Sequence, residues 1–118
     1  MALSAMAPYV YSQLGPGEIR LLVLAPRSGW GEVICRLEHR LLSSDPDYEA
    51  LSYCWGVDDK DHQVICEGKI IKITASLFSA LRHLSFKRKE RRLWVDGICI
   101  NQDDDHEKNH QVSMMGTI

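Results

Sequence analysis

One apolar run in the second half of the chain constrains the fold more than any other stretch. It covers residues 93–102 and reads Leu-Trp-Val-Asp-Gly-Ile-Cys-Ile-Asn-Gln. A short run with β-branched and aromatic residues, bounded by charge on both sides, is typical of a strand buried on both faces. Asp96 is the anomaly inside it, because an ionised carboxylate there costs several kcal/mol unless it is paired or hydrogen-bonded. We therefore expect Asp96 to be buried and tied to backbone N–H groups or to a polar side chain.

The other patterns predict an α/β fold with a mixed sheet. Residues 19–24 and 33–40 are expected to form one hairpin, and residues 63–66 and 69–73 a second one that turns at Glu67-Gly68. Thr74 is a good N-cap for a helix over residues 75–86, and a second helix is expected to begin at residues 103–105. Residues 48–53 and 93–98 are expected to be core strands. Because a helix joins them, we expect them to be parallel.

Composition excludes several classes of protein. At 118 residues the chain is one domain at most, and we expect a flexible N-terminal arm over 1–17 and a domain over 18–118. A net charge of −2 gives no general attraction to nucleic acid. No run reaches the ~18 apolar residues of a membrane span, and no basic segment precedes the apolar N-terminus, so we expect a cytoplasmic protein. Four cysteines without a C-x-x-C pair indicate buried, reduced thiols: Cys35, Cys54, Cys66 and Cys99.

One segment matches the sequence of a zinc-protease motif, but its helical phase does not suit a buried metal site. Residues 106–110 read His-Glu-Lys-Asn-His, which matches H-E-x-x-H. At ~100° per residue, Met114, Met115 and Ile118 define the apolar side of this helix, and Glu107 and Gln111 fall on that side. His106 and His110 fall on the opposite side, toward water. We therefore expect no metal site.

Two polar features remain open to interpretation. Glu107 has capping-box spacing to Asp104, so Glu107 and Gln111 are either a capping glutamate with a satisfied buried amide or the lining of a polar pocket. The basic run over residues 87–92 could hold phosphate, but a solvated helix end favoured by the helix dipole is the preferred interpretation.

Three blocks of the sequence resemble the fungal heterokaryon incompatibility (HET) domain. They are residues 48–56 (YEALSYCWG), residues 93–102 (LWVDGICINQ), and Glu107-Lys108 with Gln111-Val112 and Met115. The family pattern has alanine where Gly97 stands and arginine where Lys108 stands. It also continues past Ile118 into a Trp-x-x-x-Glu-like stretch. We therefore expect a truncated chain that is similar to the N-terminal half of a HET domain.

The resemblance implies a role in programmed cell death after genetically different fungal cells fuse. HET domains are also thought to be distantly similar to TIR domains, which are flavodoxin-like and some of which cleave NAD. By that likeness, a nucleotide-facing loop would contain Ser52, Tyr53, Trp55 and Gly56. Trp55 would stack on a base or nicotinamide ring, and Asp96, Asn101 and Gln102 would complete the cofactor site. The catalytic glutamate would lie beyond Ile118, which leaves Glu107 as a weak candidate.

Two functions follow from these expectations. The favoured one is a signalling module that acts by self-association, as a dimer or a larger species, with other fungal incompatibility proteins as further partners. The alternative is a TIR-like NAD hydrolase. A carboxylate that converges on the pocket with a perturbed pKa would favour the hydrolase.

Overall fold

The computed structural model describes residues 6–27, 29, 31–51 and 60–114, and in this part of the chain it contains six strands and three α-helices. In chain order these are β1 (Glu18–Leu24), β2 (Ile34–Leu41), β3 (Glu49–Ala50), β4 (His62–Cys66), β5 (Lys69–Ile73), α1 (Ala75–Leu84), β6 (Arg91–Trp94), α2 (Asp96–Cys99) and α3 (Asp105–Met114). The strands form one sheet in the order β3-β6-β1-β2-β4-β5. The predicted α/β class with a mixed sheet is confirmed.

Both predicted hairpins are present. Strand β1 pairs antiparallel with β2 from Glu18 opposite Leu41 to Leu24 opposite Cys35, and β4 pairs antiparallel with β5. Glu67 and Gly68 form the β4–β5 turn with φ of 53° and 79°. Two consecutive positive φ angles match the twist of a two-residue hairpin, and glycine tolerates this conformation at the second position.

The parallel pairs connect distant parts of the chain. Strand β3 pairs with β6 in parallel, as predicted for the two core strands, although β3 has two described residues and β6 has four. Strand β2 also pairs in parallel with β4, which the sequence did not indicate. Strand β1, which lies between β6 and β2, is the buried centre of the sheet, since Ile19–Leu24 are each at most 1% exposed.

The apolar run over residues 93–102 is not one strand, so that prediction was wrong. The strand ends at Trp94, and residues 96–99 form the short helix α2, whose Cys99 N–H donates to the Val95 carbonyl at 2.7 Å. Asp96 opens this helix and is half-buried, not fully enclosed. A short apolar run does not distinguish a buried strand from a buried helix by periodicity alone, and Asp96 is better tolerated at a helix start than in a strand.

The basic run over residues 87–92 was also misassigned as a helix end. Helix α1 ends at Leu84, residues 87–89 bend, and Arg91 and Arg92 already belong to β6. Each of these two arginines forms an ion pair with a glutamate of the same sheet: Arg91 with Glu49 of the adjacent β3, and Arg92 with Glu38 of β2, both at 2.8 Å. The hydrogen bonds from Arg91 lower the pKa of Glu49.

The described part of the N-terminal segment contacts the sheet. The Tyr9 N–H donates to the Ile70 carbonyl at 2.8 Å, and the Ile70 N–H donates to the Ala7 carbonyl at 3.0 Å. Pro8 thereby forms a parallel bridge with Ile70 at the outer edge of β5. The division into an arm over 1–17 and a domain over 18–118 stays a prediction.

Three described cysteines, Cys35, Cys66 and Cys99, are buried and unpaired, as expected; Cys54 lies outside the described residues. Among the described helices, none has the length and apolar character that crossing a membrane requires.

Candidate functional site

A buried arginine organises the polar centre of the molecule. Arg20 lies in the middle of the apolar strand β1, and its residue is 1% exposed. Its guanidinium donates from Nη1 to the Cys99 carbonyl at 3.1 Å and from Nη2 to the Ser12 carbonyl at 2.7 Å. The remaining donors of both nitrogens reach the carboxylate of Glu107, so a buried charge is neutralised at short range, as burial requires.

Glu107 is held from two directions. Arg20 Nη1 and Nη2 donate to Oε2 and Oε1 of Glu107 at 2.7 Å each, which is a bidentate ion pair. The Asn101 backbone N–H donates to Oε2 at 2.6 Å. The Glu107 side chain is 10% exposed. The carboxylate therefore joins β1, the segment after α2 and the first turn of α3.

Tyr11 covers the ion pair from the N-terminal segment. Its ring centroid lies 4.8 Å from Cζ of Arg20, and its hydroxyl donates to the Ile98 carbonyl at 2.7 Å. Burial raises the pKa of the Tyr11 hydroxyl well above its ordinary value. The hydroxyl consequently stays a neutral donor in the ordinary pH range.

Helix α3 has the predicted orientation. Asp104 Oδ1 accepts from the Glu107 backbone N–H at 3.1 Å, and Gln111, which is 1% exposed, donates to the Glu18 carbonyl at 3.2 Å. His106 and His110 are exposed, while Glu107 is turned inward to Arg20. The described residues contain no group of three or more His, Cys, Asp or Glu side chains able to hold a metal ion.

A cleft rimmed by lysines lies near the start of α1. Its volume is about 380 Å³, and its polar lining consists of Lys60, Lys72, Thr74, Asp96, Gln102 and Lys108. Gln102 Nε2 donates to the backbone carbonyl of Asp96 at 2.8 Å, which fixes the amide on one wall. Thr74 Oγ1 accepts from the Leu77 N–H at 3.2 Å and caps α1. Three ammonium groups against one carboxylate give this lysine cleft a positive field suited to a small anion.

The residues expected to form the cofactor site separate into three groups. Asp96 and Gln102 line the lysine cleft. Asn101 lies at the turn before α3, where its Oδ1 accepts from the Asp103 N–H at 3.2 Å and its own N–H serves Glu107. The third group lies outside the described residues: Ser52, Tyr53, Trp55 and Gly56.

Arg20 and the three lysines were missed from the sequence. A single arginine in Ile-Arg-Leu-Leu-Val-Leu is the same anomaly as Asp96 in its run, and it would have flagged a buried ion pair. The lysines gave no local signal, because β5, α2 and α3 contribute Lys72, Asp96 and Lys108 from separate parts of the chain.

Comparison with known proteins gives a family and one curated relative. The family described as heterokaryon incompatibility protein (HET) matches residues 48–118. The chain is 37% identical over 114 residues to the protein named heterokaryon incompatibility protein 6, OR allele, of Neurospora crassa. That alignment covers 85% of this chain and 17% of the relative, so the chain spans less than a fifth of that protein. No solved structure matches.

Proposed function

The chain belongs to the heterokaryon incompatibility (HET) family, and from this premise we propose that it is a cytoplasmic module of fungal non-self recognition that signals programmed cell death by self-association. Other incompatibility proteins are further partners in this proposal. In this proposal, the first step of signalling is the binding of a second copy of the chain, not a chemical reaction carried out by these residues.

The engagement of Glu107 is the observation that carries this proposal. A catalytic carboxylate has to be able to approach its substrate or exchange a proton with it. Both oxygens of Glu107 are occupied by Arg20, and Oε2 also accepts from the Asn101 N–H. The inward carboxylate that the sequence offered as a catalytic candidate is thus used to hold the fold together.

Strand β3 offers a surface for association. It is a terminal strand of the sheet, and its described residues pair only with β6. The Leu51 N–H donates inward to the Trp94 carbonyl at 2.9 Å, so strand alternation directs the Ala50 N–H and carbonyl outward. Unpaired backbone groups at a sheet edge are a template for pairing with another chain.

The helix α3 surface supports association less well than β3 does. Met114 is half-buried and packs against the core, while Val112 is 54% exposed. Met115 and Ile118 lie outside the described residues. The proposed contact is therefore placed at β3 and not on α3.

Sedimentation velocity over a range of concentrations tests the proposal. The parent chain is expected to associate as concentration rises. Ala50→Pro should remove the association, because proline lacks the outward N–H while the inward Leu51 hydrogen bond is untouched. Ala50→Gly is the matched control, since it keeps that N–H, and circular dichroism checks that both variants stay folded. A parent that remains monomeric, or a proline variant that still associates, contradicts the proposal.

A second function, TIR-like cleavage of NAD, is favoured by the lysine cleft. Its ammonium groups suit a pyrophosphate, and Asp96 could accept from ribose hydroxyls. We expect no nicotinamide release above background from the chain, because the Glu107 carboxylate is engaged by Arg20. Chromatographic measurement of the released nicotinamide checks this for the parent and for Glu107→Gln. Turnover by the parent would replace the first proposal, and its loss in a Glu107→Gln variant that circular dichroism shows to be folded would move the active site to Glu107.

A further inference from the structure

Most arginines of this chain are neutralised by glutamates. The chain has eight arginines, all in the described residues. Five of them form ion pairs with glutamates: Arg20, Arg36, Arg40, Arg91 and Arg92. Within the described residues, Arg27, Arg82 and Arg88 have no carboxylate within ion-pair distance.

Two of these three arginines face one cleft. The cleft has a volume of about 530 Å³ and lies along α1, and its side chains include Arg27, His62, Phe78, Ser79, Arg82 and His83. It is separate from the lysine cleft, with which it shares no lining residue. We name it the arginine cleft.

The guanidinium groups of the arginine cleft are positioned by the backbone. The Arg27 N–H donates to the Phe86 carbonyl at 2.7 Å, and Arg27 Nη2 donates to the Ser85 carbonyl at 3.2 Å, so both ends of this residue are anchored at the end of α1. The Arg82 guanidinium lies against the loop before β2, where a methyl group added at Gly31 would be 3.8 Å from Cζ of Arg82. These contacts leave most guanidinium N–H donors available.

The other polar groups of the cleft are donors or can become donors. Ser79 contributes a hydroxyl, and His62 and His83 contribute imidazoles. The acidic neighbour of His62 is Asp61, whose Oδ1 is engaged by His62 Nδ1 at 2.8 Å. That hydrogen bond lowers the pKa of Asp61, which therefore carries its charge. Asp61 and Glu32 line an adjacent cavity and are not part of the arginine cleft.

We propose that the arginine cleft binds a phosphate monoester. Guanidinium groups bind phosphate oxygens in bidentate fashion, and two of them with hydroxyl and imidazole donors can satisfy a dianion. The cleft volume admits a group larger than free phosphate. The monoester can belong to a small molecule or to a phosphorylated serine on a peptide, because both present the same dianion. This site is independent of association through β3 and of the lysine cleft.

Calorimetric titration of the parent chain with inorganic phosphate, phosphoserine and a short phosphoserine peptide tests the proposal. Saturable binding of at least one of these is expected, with no binding of the unphosphorylated peptide. Tighter binding of the peptide than of free phosphoserine assigns the monoester to a protein partner, and equal binding assigns it to a small molecule. Absence of saturable binding to all three overturns the proposal.

Three charge-matched variants locate the site. Arg82→Gln is expected to weaken binding about tenfold or more, since it removes a charge-assisted hydrogen bond. Arg88→Gln removes the same charge from another arginine that has no described carboxylate partner but lies outside the cleft, and its affinity should equal that of the parent. Lys108→Gln reports on the lysine cleft, the other cationic cleft, and it should weaken binding less than Arg82→Gln does. Equal weakening by Arg82→Gln and Arg88→Gln would indicate general charge attraction, and loss of binding in Lys108→Gln would place the anion in the lysine cleft; either result overturns the proposal.

Discussion

At the scale of single residues, Arg20 and Glu107 form the buried ion pair around which the internal polar contacts are arranged. Both are enclosed, with side chains 1% and 10% exposed, and their hydrogen bonds link four segments of the chain: the N-terminal segment, β1, residues 99–101 and α3. Removing one partner of a buried ion pair leaves the other charge buried without compensation. The exposed pair of Arg36 and Glu90 has no such penalty, because water solvates either charge when the other is removed.

Glu107→Gln is therefore expected to lower the free energy of unfolding by roughly 3–5 kcal/mol. Glu90→Gln makes the same chemical change at a glutamate whose side chain is 45% exposed, and about 1 kcal/mol or less is expected there. Urea denaturation followed by tryptophan fluorescence measures both values. Equal losses in the two variants would show that Glu107 has no special structural role.

Asp96 and Arg20 show which part of a site can be predicted from a sequence. Asp96 and Arg20 each stand alone in an apolar run, so each could be recognised as requiring a partner. The partner itself could not be predicted, because Glu107 is 87 residues away from Arg20. The prediction that His106 faces solvent depended only on its position around the helix, which is a local property of the sequence.

At the scale of elements, local signals predicted well and long-range pairing did not. The β4–β5 hairpin follows from Glu67-Gly68, and α1 begins where Thr74 caps it. The parallel pairing of β2 with β4 has no local signal and was not predicted. The boundary between β6 and α2 was missed, because Val95 to Ile100 is apolar enough to suit either element. The lysine cleft depends on how three elements meet, so only Asp96 and Gln102 of its lining were predicted as site residues.

At the scale of the whole molecule, the core contains acidic groups that are kept neutral. Burial raises the pKa of the Cys99 thiol to about 12 from an ordinary value of 9.0, and burial also raises the pKa of Tyr9 to about 12. The thiol of Cys35 has a raised pKa because it is hydrogen-bonded to Cys66 and buried. A folded-state pKa above the unfolded value gives stability that is complete below the unfolded pKa and is lost as pH rises through the folded one.

The free energy of unfolding should consequently fall as pH rises from about 9 to about 12. Replacing Cys99 with alanine removes one of the groups responsible, so the pH dependence of Cys99→Ala should be shallower by up to ~1.4 kcal/mol per pH unit. Urea denaturation at a series of alkaline pH values, in reducing buffer, measures both slopes. Parallel slopes for parent and variant would contradict the assignment to Cys99.

The contact of the N-terminal segment with β5 bears on how far an assembly of this fold could grow. Ala7 and Tyr9 hydrogen-bond to Ile70 and so occupy backbone groups on the outer side of β5, while β3 at the other end of the sheet pairs only with β6 among the described residues. A sheet with two open edges can add copies without limit and form a filament. With the Ile70 groups already paired at the β5 edge, the proposed pairing through β3 would join two copies about a two-fold axis and then stop, since that symmetry is closed.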